Sequence, residues 1–166
     1  MTPNLFKVSN VGNGLLYVMP KPSAEWLLDD VTYFHSKGIT KVVSLLQAGE
    51  EYELGLSKER ELCEAAGIQF SSFPIEDRGL PSINPFKKWV TDLYAELQSG
   101  EHITLHCRAG IGRTGLLAAC LLIKDGYAAQ VAIDQVSAAR GVSIPDTQAQ
   151  YDFICDYASI GLVDGA

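Results

Sequence analysis

Cys107 ends an apolar run and is followed by Arg108, Ala109, Gly110, Ile111, Gly112, Arg113, Thr114 and Gly115, in the stretch HITLHCRAGIGRTG of residues 102–115. Three chemistries could use such a stretch. Cys107 could be a small buried hydrophobe before a tight turn, as free cysteines commonly are. A structural turn, however, needs one glycine rather than three with an arginine among them. GIGRTG is also a literal G-x-G-x-x-G. A dinucleotide fold then needs a second parallel strand ending in an acidic residue roughly 20–30 residues on, and the chain after Gly115 reads as helix instead. Arg113 stands where a phosphate-binding Walker loop requires lysine.

The third possibility is a thiolate nucleophile in a phosphate cradle. Residues 108–112 would curl round a phosphoryl group with their backbone N–H groups inward, and glycine permits the dihedrals and close approach that this demands. A helix starting near Arg113 adds its positive dipole end at the same point. Arg113 offers a planar fork for two phosphate oxygens. The field that binds the anion also favours thiolate: a thiol at a helix N-terminus beside an arginine has its pKa lowered from about 8.5 to roughly 3.5–7.5. Thr114 supplies a hydroxyl able to donate to the sulfur and ease its later departure. His106 reads as a residue that stiffens the loop by hydrogen bonding rather than as a base, since a thiolate already formed needs none. Arg108 reads equally as a substrate contact and as a solvated charge.

These residues need elements to position them. GLLYVMP (14–20), KVVSLL (41–46), IQFSSFPI (68–75) and HITLHC (102–107) read as strands. Leu27, Leu28, Val31 and Phe34 recur at helical spacing, as do Phe86, Val90, Leu93 and Leu97, with Asn84-Pro85 as a start and Gly100 as a stop. Residues 51–66 read as one further helix with a weak apolar stripe. RTGLLAACLLIKDG is apolar nearly all round and reads as a buried helix closed by Gly126. Ala129, Ala132, Ile133 and Val136 give another helix ending before Gly141, and Tyr151, Ile154, Cys155 and Ala158 a last one. The expected class is α/β: a short, largely parallel central sheet flanked by helices, with the phosphate-binding loop between the last strand and a buried helix, and an all-helical C-terminal third. Ligands of such sheets sit beyond the carboxyl ends of the strands, where Cys107 falls.

The 166 residues, 47% of them apolar, suit a single domain over 1–166 with its own core. A net charge of −7 argues against a nucleic-acid partner, which calls for a broad basic face. No apolar run has the length of a membrane span, and MTPNLFKVSN lacks the pattern of a signal peptide. A cytoplasmic protein without a membrane partner is expected. Cys63, Cys107, Cys120 and Cys155 lie far apart and show no metal-ligand spacing, so no metal site, cofactor or disulfide framework is implied. Cys63 and Cys120 have no spacing that marks a resolving thiol for an oxidised Cys107.

HCRAGIGRTG resembles the H-C-x-x-G-x-G-R-[ST]-G signature of the cysteine-dependent protein phosphatases, and the small size is similar to their dual-specificity branch. PIEDRGLPS and DTQAQYDFI resemble segments of the kinase-associated phosphatase and Cdc14-like members. The resemblance covers roughly residues 40–157. It implies a metal-free hydrolysis through a phosphocysteine on Cys107, with a general acid that protonates the leaving oxygen and then acts as base toward water. The family's acid stands on a loop about thirty residues before the cysteine. Glu76 and Asp77 occupy that loop, and Asp77, thirty residues before Cys107 and matching the Asp of the P-I-x-D motif of the kinase-associated phosphatase, is favoured over Glu76. EDRG could alternatively be a plain solvated turn, and Arg78 within it a ligand contact. Where tyrosine phosphatases carry Q-T-x-x-Q-Y-x-F, this chain has Asp146 in place of the first Gln, with Thr147, Gln150, Tyr151 and Phe153 matching. Gln150 could position the hydrolytic water, or Thr147 and Gln150 could simply form a capping box opening the last helix.

The substrate implied is a phosphorylated protein or peptide carrying phosphotyrosine or phosphoserine/threonine, because so short a chain lacks the extra recognition loop of the tyrosine-specific enzymes. Phosphoinositide phosphatases of the family often carry two lysines in the loop, where Arg108 and Ile111 stand here. An RNA 5′-phosphatase calls for a basic surround. A non-catalytic phosphate-binding module would usually have lost the Cys, Arg or Asp, and all three are present.

Overall fold

The computed structural model describes residues 2–163. The one-domain reading of 1–166 also takes in Met1 and residues 164–166, which lie outside the described residues. Five strands, β1 (Phe6–Val11), β2 (Gly14–Met19), β3 (Lys41–Ser44), β4 (Gln69–Ser72) and β5 (His102–His106), form one sheet in the order β1-β2-β5-β3-β4. The β1–β2 pair is antiparallel and the other three pairings are parallel. Seven helices accompany them among the described residues: α1 (Leu27–Ser36), α2 (Ala48–Glu53), α3 (Glu59–Ala65), α4 (Ile83–Gln98), α5 (Gly112–Lys124), α6 (Ala129–Arg140) and α7 (Gln148–Val163). After β5 the described chain is helical between its loops, as the apolar periodicity predicts.

Strand alternation divides the apolar residues between two faces. Val18, Val43 and Leu105 join the core beneath α4, α5, α6 and α7, while Met19 and Val42 join the core beneath α1 and α3. Every residue of α5 from Gly112 to Leu122 is buried. Four of them, Leu116, Leu117, Leu121 and Leu122, each contribute about 1.5–3 kcal/mol by leaving water. That burial makes α5 a rigid base for the loop at its N-terminus.

Two elements differ from the sequence expectation. The edge strand β1 is not foreseen, because a register shift between Lys7 and Ser9 interrupts the alternation of FKVSNV. Its signal was the two-residue Gly12-Asn13 link to β2, with Gly12 at φ 57°. Residues 51–66 are two short helices rather than one. The chain breaks at Gly55, whose φ of 71° no continuous helix tolerates. No helix among the described residues is long and apolar enough to cross a membrane.

Candidate active site

The parallel strands β2, β3, β4 and β5 all deliver their carboxyl ends to one edge of the sheet. Cys107 directly follows β5 there and is 3% exposed. The loop after it is fixed by backbone contacts: the Arg108 carbonyl accepts from the Lys21 N–H at 3.1 Å. Gly110, at φ 75°, lies so close to the end of β2 that a Cβ would stand 2.4 Å from the Met19 oxygen. A side chain at Gly112 would meet Asp146 Cβ at 2.9 Å and the Gln150 amide at 3.1 Å. Gly110 is therefore demanded by packing as well as by conformation, and Gly112 by packing. Ile111 is the residue before the helix and Gly112 its first turn.

Arg113, in that first turn, is 2% exposed. Its Nη1 donates to Glu50 Oε2 at 2.7 Å and to the Ile75 carbonyl at 2.9 Å. Its Nη2 donates to Glu50 Oε1 at 3.0 Å and to Asp77 Oδ1 at 3.1 Å. All four N–H groups at the guanidinium tip are thereby engaged. The Nε–H takes part in none of these bonds. Burial works against the guanidinium's charge, but the Glu50 hydrogen bonds, then Cys107, the Glu50 charge and Asp77, outweigh it and hold Arg113 more firmly protonated than usual. Burial pushes the Glu50 carboxyl up, and Arg113 with the Gln47 N–H at 3.0 Å more than reverses this, leaving it below its usual value.

Asp77 comes from the loop after β4 and is half exposed. It lines, with Cys107, Arg108, Ala109, Gly112 and Arg113, a pocket of about 200 Å³ whose remaining wall is Arg78, Asp146 and Gln150. Glu76 is exposed and is not part of this wall; its carbonyl instead accepts the Gly79 N–H at 2.8 Å in the turn. Arg78 adopts the left-handed region at φ 61° and donates to Asp146 Oδ2 at 3.0 Å. That ion pair answers the repulsion expected of a carboxylate beside a phosphate pocket.

Gln150 is fully buried. Its Oε1 accepts the backbone N–H groups of Asp146 and Thr147 at 3.1 and 3.2 Å, and Thr147 Oγ1 accepts the Gln150 N–H at 3.1 Å. The capping box is thus formed, and Nε2 still reaches the Gly79 carbonyl at 3.3 Å. Arg108 is 45% exposed and leans toward Glu50 at 3.6 Å. The Thr114 hydroxyl is buried with no hydrogen-bond partner, so the donation to sulfur foreseen from the sequence is not made in this structure. Cys63 and Cys120 are fully buried, and burial drives the Cys63 thiol up to about 12 and the Cys120 thiol well above its usual value, which suits neither to a resolving role.

Three residues around the pocket escape sequence reasoning. Glu50 clamps Arg113, and Glu59 bonds His106 from α3 at 2.6 Å. Arg140, at the end of α6, stacks on Phe6 and donates to the outward Ala109 carbonyl at 2.9 Å. Glu50 carries no sequence signal of its own, and only its partner in the structure identifies it.

A family model described as "Tc-R-P: Polymorphic toxin system, DSP-PTPase phosphatase" matches residues 19–127. The chain belongs to the DSP-PTPase phosphatase family. It is 33% identical over 130 residues to a protein tyrosine phosphatase domain-containing protein 1 of Danio rerio, covering 72% of this chain and 18% of that protein. It is 30% identical over 130 residues to the cyclin-dependent kinase inhibitor 3 of Rattus norvegicus, covering 77% of this chain and 61% of that one. This DSP-PTPase chain thus spans under a fifth of the first relative and about three fifths of the second. Its fold is similar to that of kinase associated phosphatase, solved with a serine in place of the catalytic-site cysteine. The TM-score is 0.87 at 23% identity, and 96% of each chain is covered.

Proposed function

We propose that this DSP-PTPase chain hydrolyses phosphomonoesters through a phosphocysteine on Cys107, without metal, acting on phosphotyrosine and phosphoserine/threonine of proteins or peptides. The observation that carries the reading is the meeting of Cys107 and Arg113, from one stretch of sequence, with Asp77, from a loop thirty residues earlier, in one small pocket at the helix N-terminus. At about 200 Å³ it suits a phosphoryl group and the first atoms of its carrier, below the size of a drug-like site.

In the first step the Cys107 sulfur attacks phosphorus as the ester P–O bond breaks, and the Asp77 carboxyl gives its proton to the leaving oxygen. The N–H groups of residues 108–112 and the Arg113 guanidinium hold the phosphoryl oxygens. Arg113 can do so from one edge: its Nε–H, and the Nη2–H that Asp77 occupies at 3.1 Å in this structure. Glu50 keeps the other edge, so the fork cannot turn away. In the second step water attacks the phosphocysteine, Asp77 takes its proton, and the thiolate leaves with the Thr114 hydroxyl, which has no other partner, to receive its charge. Gln150 has a second Nε2 hydrogen beyond the one given to Gly79, and that donor is suited to hold the attacking water.

The test is phosphate release from phosphotyrosine, phosphoserine and phosphothreonine peptides, a phosphoinositide and a 5′-triphosphorylated RNA, in reducing buffer with chelator. Release from the peptides that vanishes in Cys107→Ser, while the variant still binds phosphopeptide, is expected. Activity retained by Cys107→Ser would overturn the mechanism, and release confined to the lipid or the RNA would overturn the substrate class.

A further inference from the structure

His106 is completely buried and both of its ring nitrogens face acceptors. Nδ1 lies 3.1 Å from the Cys107 carbonyl oxygen and Nε2 lies 2.6 Å from Glu59 Oε2. A carbonyl oxygen only accepts, so Nδ1 must carry hydrogen. Opposite a carboxylate, which also only accepts, Nε2 carries hydrogen as well, and a ring protonated at both is an imidazolium, the state toward which the Glu59 contact shifts His106. Glu59 is 1% exposed and its other oxygen, Oε1, is buried without a partner. His106 is therefore the compensation that this buried carboxylate has, and a neutral ring would leave the carboxylate's charge stranded.

We propose that Glu59 is a positioning residue of the active site: from α3 it holds His106 as a doubly protonated ring, so that the residue next to Cys107 presents a positive charge. The inference rests on Cys107 acting as a thiolate nucleophile. The charges round the pocket show why it matters. The wall sets Asp77 and Asp146 against Arg78, Arg108 and Arg113, and Glu50, which is not part of the wall, pairs with Arg113, so the side chains there leave little net field. Behind the cradle, Glu59 and, more remotely, Glu51 from α2 face His106, and Arg60 acts on Glu51. The Glu59–His106 pair is a dipole with its positive end hydrogen-bonded to the Cys107 backbone carbonyl. Burial alone would lower the pKa of His106; the Glu59 charge and hydrogen bond, with the Cys107 carbonyl and Glu51, reverse that and raise it.

The experiment is alkylation of Cys107 by iodoacetamide at pH 6 and pH 9.5, read by peptide mass so that the half-exposed Cys155 serves as internal reference. In Glu59→Gln the rate at Cys107 should fall about tenfold at pH 6, the effect of displacing a thiol titration by one unit, and return to the wild-type rate at pH 9.5. In a His106→Asn background the same substitution should change nothing further. An unchanged rate at pH 6, or equal slowing at both pH values, would overturn the inference, the latter by showing a purely structural role. A wild-type Cys107 no more reactive at pH 6 than Cys155 would instead overturn the nucleophile reading itself. The wild type alone gives a second measurement that needs no variant to fold. With ¹⁵N-labelled histidine at pH 7.5, both His106 ring nitrogens should resonate as protonated, and a neutral tautomer would refute the proposal.

Discussion

Replacing Glu50 by Gln tests whether Arg113 is held by a buried charge pair. Glu50 gives Arg113 two charge-assisted bonds, at 2.7 and 3.0 Å, from a carboxylate only 10% exposed, against a guanidinium 2% exposed. Gln preserves the shape and one acceptor but sets an NH₂ group against the second guanidinium nitrogen. Losing one buried charged hydrogen bond and the pair's Coulomb attraction should cost about 2–4 kcal/mol. For a chain of this size that lowers Tm by roughly 4–16 °C. The loosened fork should also cut kcat/KM by about a hundredfold. The pH dependence gives a sharper test. The folded Glu50 carboxyl titrates below its usual value of 4.5, so its stabilisation is complete above that value and fades as pH falls through the lower folded one. Protonated Glu50 is an isostere of Gln. The wild type and Glu50→Gln should therefore differ most at pH 7 and converge at the lowest pH where both remain folded. Thermal and urea melts from pH 7 down to that limit provide the measurement. A gap under about 0.5 kcal/mol at pH 7, the scale of an exposed pair, or one that persists undiminished in acid, would refute the charge-pair account.

Two further substitutions probe the pocket itself. Asp77→Asn should slow release of poor leaving groups by about 10²-fold or more while sparing aryl esters with good ones. Equal slowing of both in steady-state assays would deny Asp77 the proton transfer. Gly110→Ala should destabilise by more than about 2 kcal/mol and abolish turnover, because its Cβ would press on the Met19 backbone, which cannot yield. Gly67→Ala, at φ 81° with nothing within 4 Å, bears only the conformational strain of about 1 kcal/mol. Equal losses in the two melts would show that the close approach of Gly110 to β2 is immaterial.

The strand, turn and helix around Cys107 were legible because their signals are local. The cysteine, the glycines, Arg113 and the start of α5 all fall within a few residues, and apolar periodicity marks the strand and helix that carry them. The loop after β4 was also within reach as a source of Glu76 and Asp77, and the family resemblance is what favours Asp77 of the two. The short helices α2 and α3 show why other features were hidden. An inward position of α3 is taken by Glu59, so the apolar stripe of residues 51–66 is weak where a buried residue is an acid, and Glu50, buried on α2, lies just before that stretch. A buried carboxylate cannot be told from a solvated one until its cation is located, and Arg113 and His106 lie 63 and 47 residues away.

By itself the sequence determined the α/β class and the strand–turn–helix order around Cys107, because local propensity and short-range spacing specify them. Only the tertiary structure decided how the charges are shared. It gave Arg113 to Glu50, His106 to Glu59, Asp146 to Arg78 and the Ala109 carbonyl to Arg140. Such pairings depend on distances of about 3 Å between groups far apart in the chain, and electrostatic energy at that range is set by geometry and burial rather than by sequence spacing.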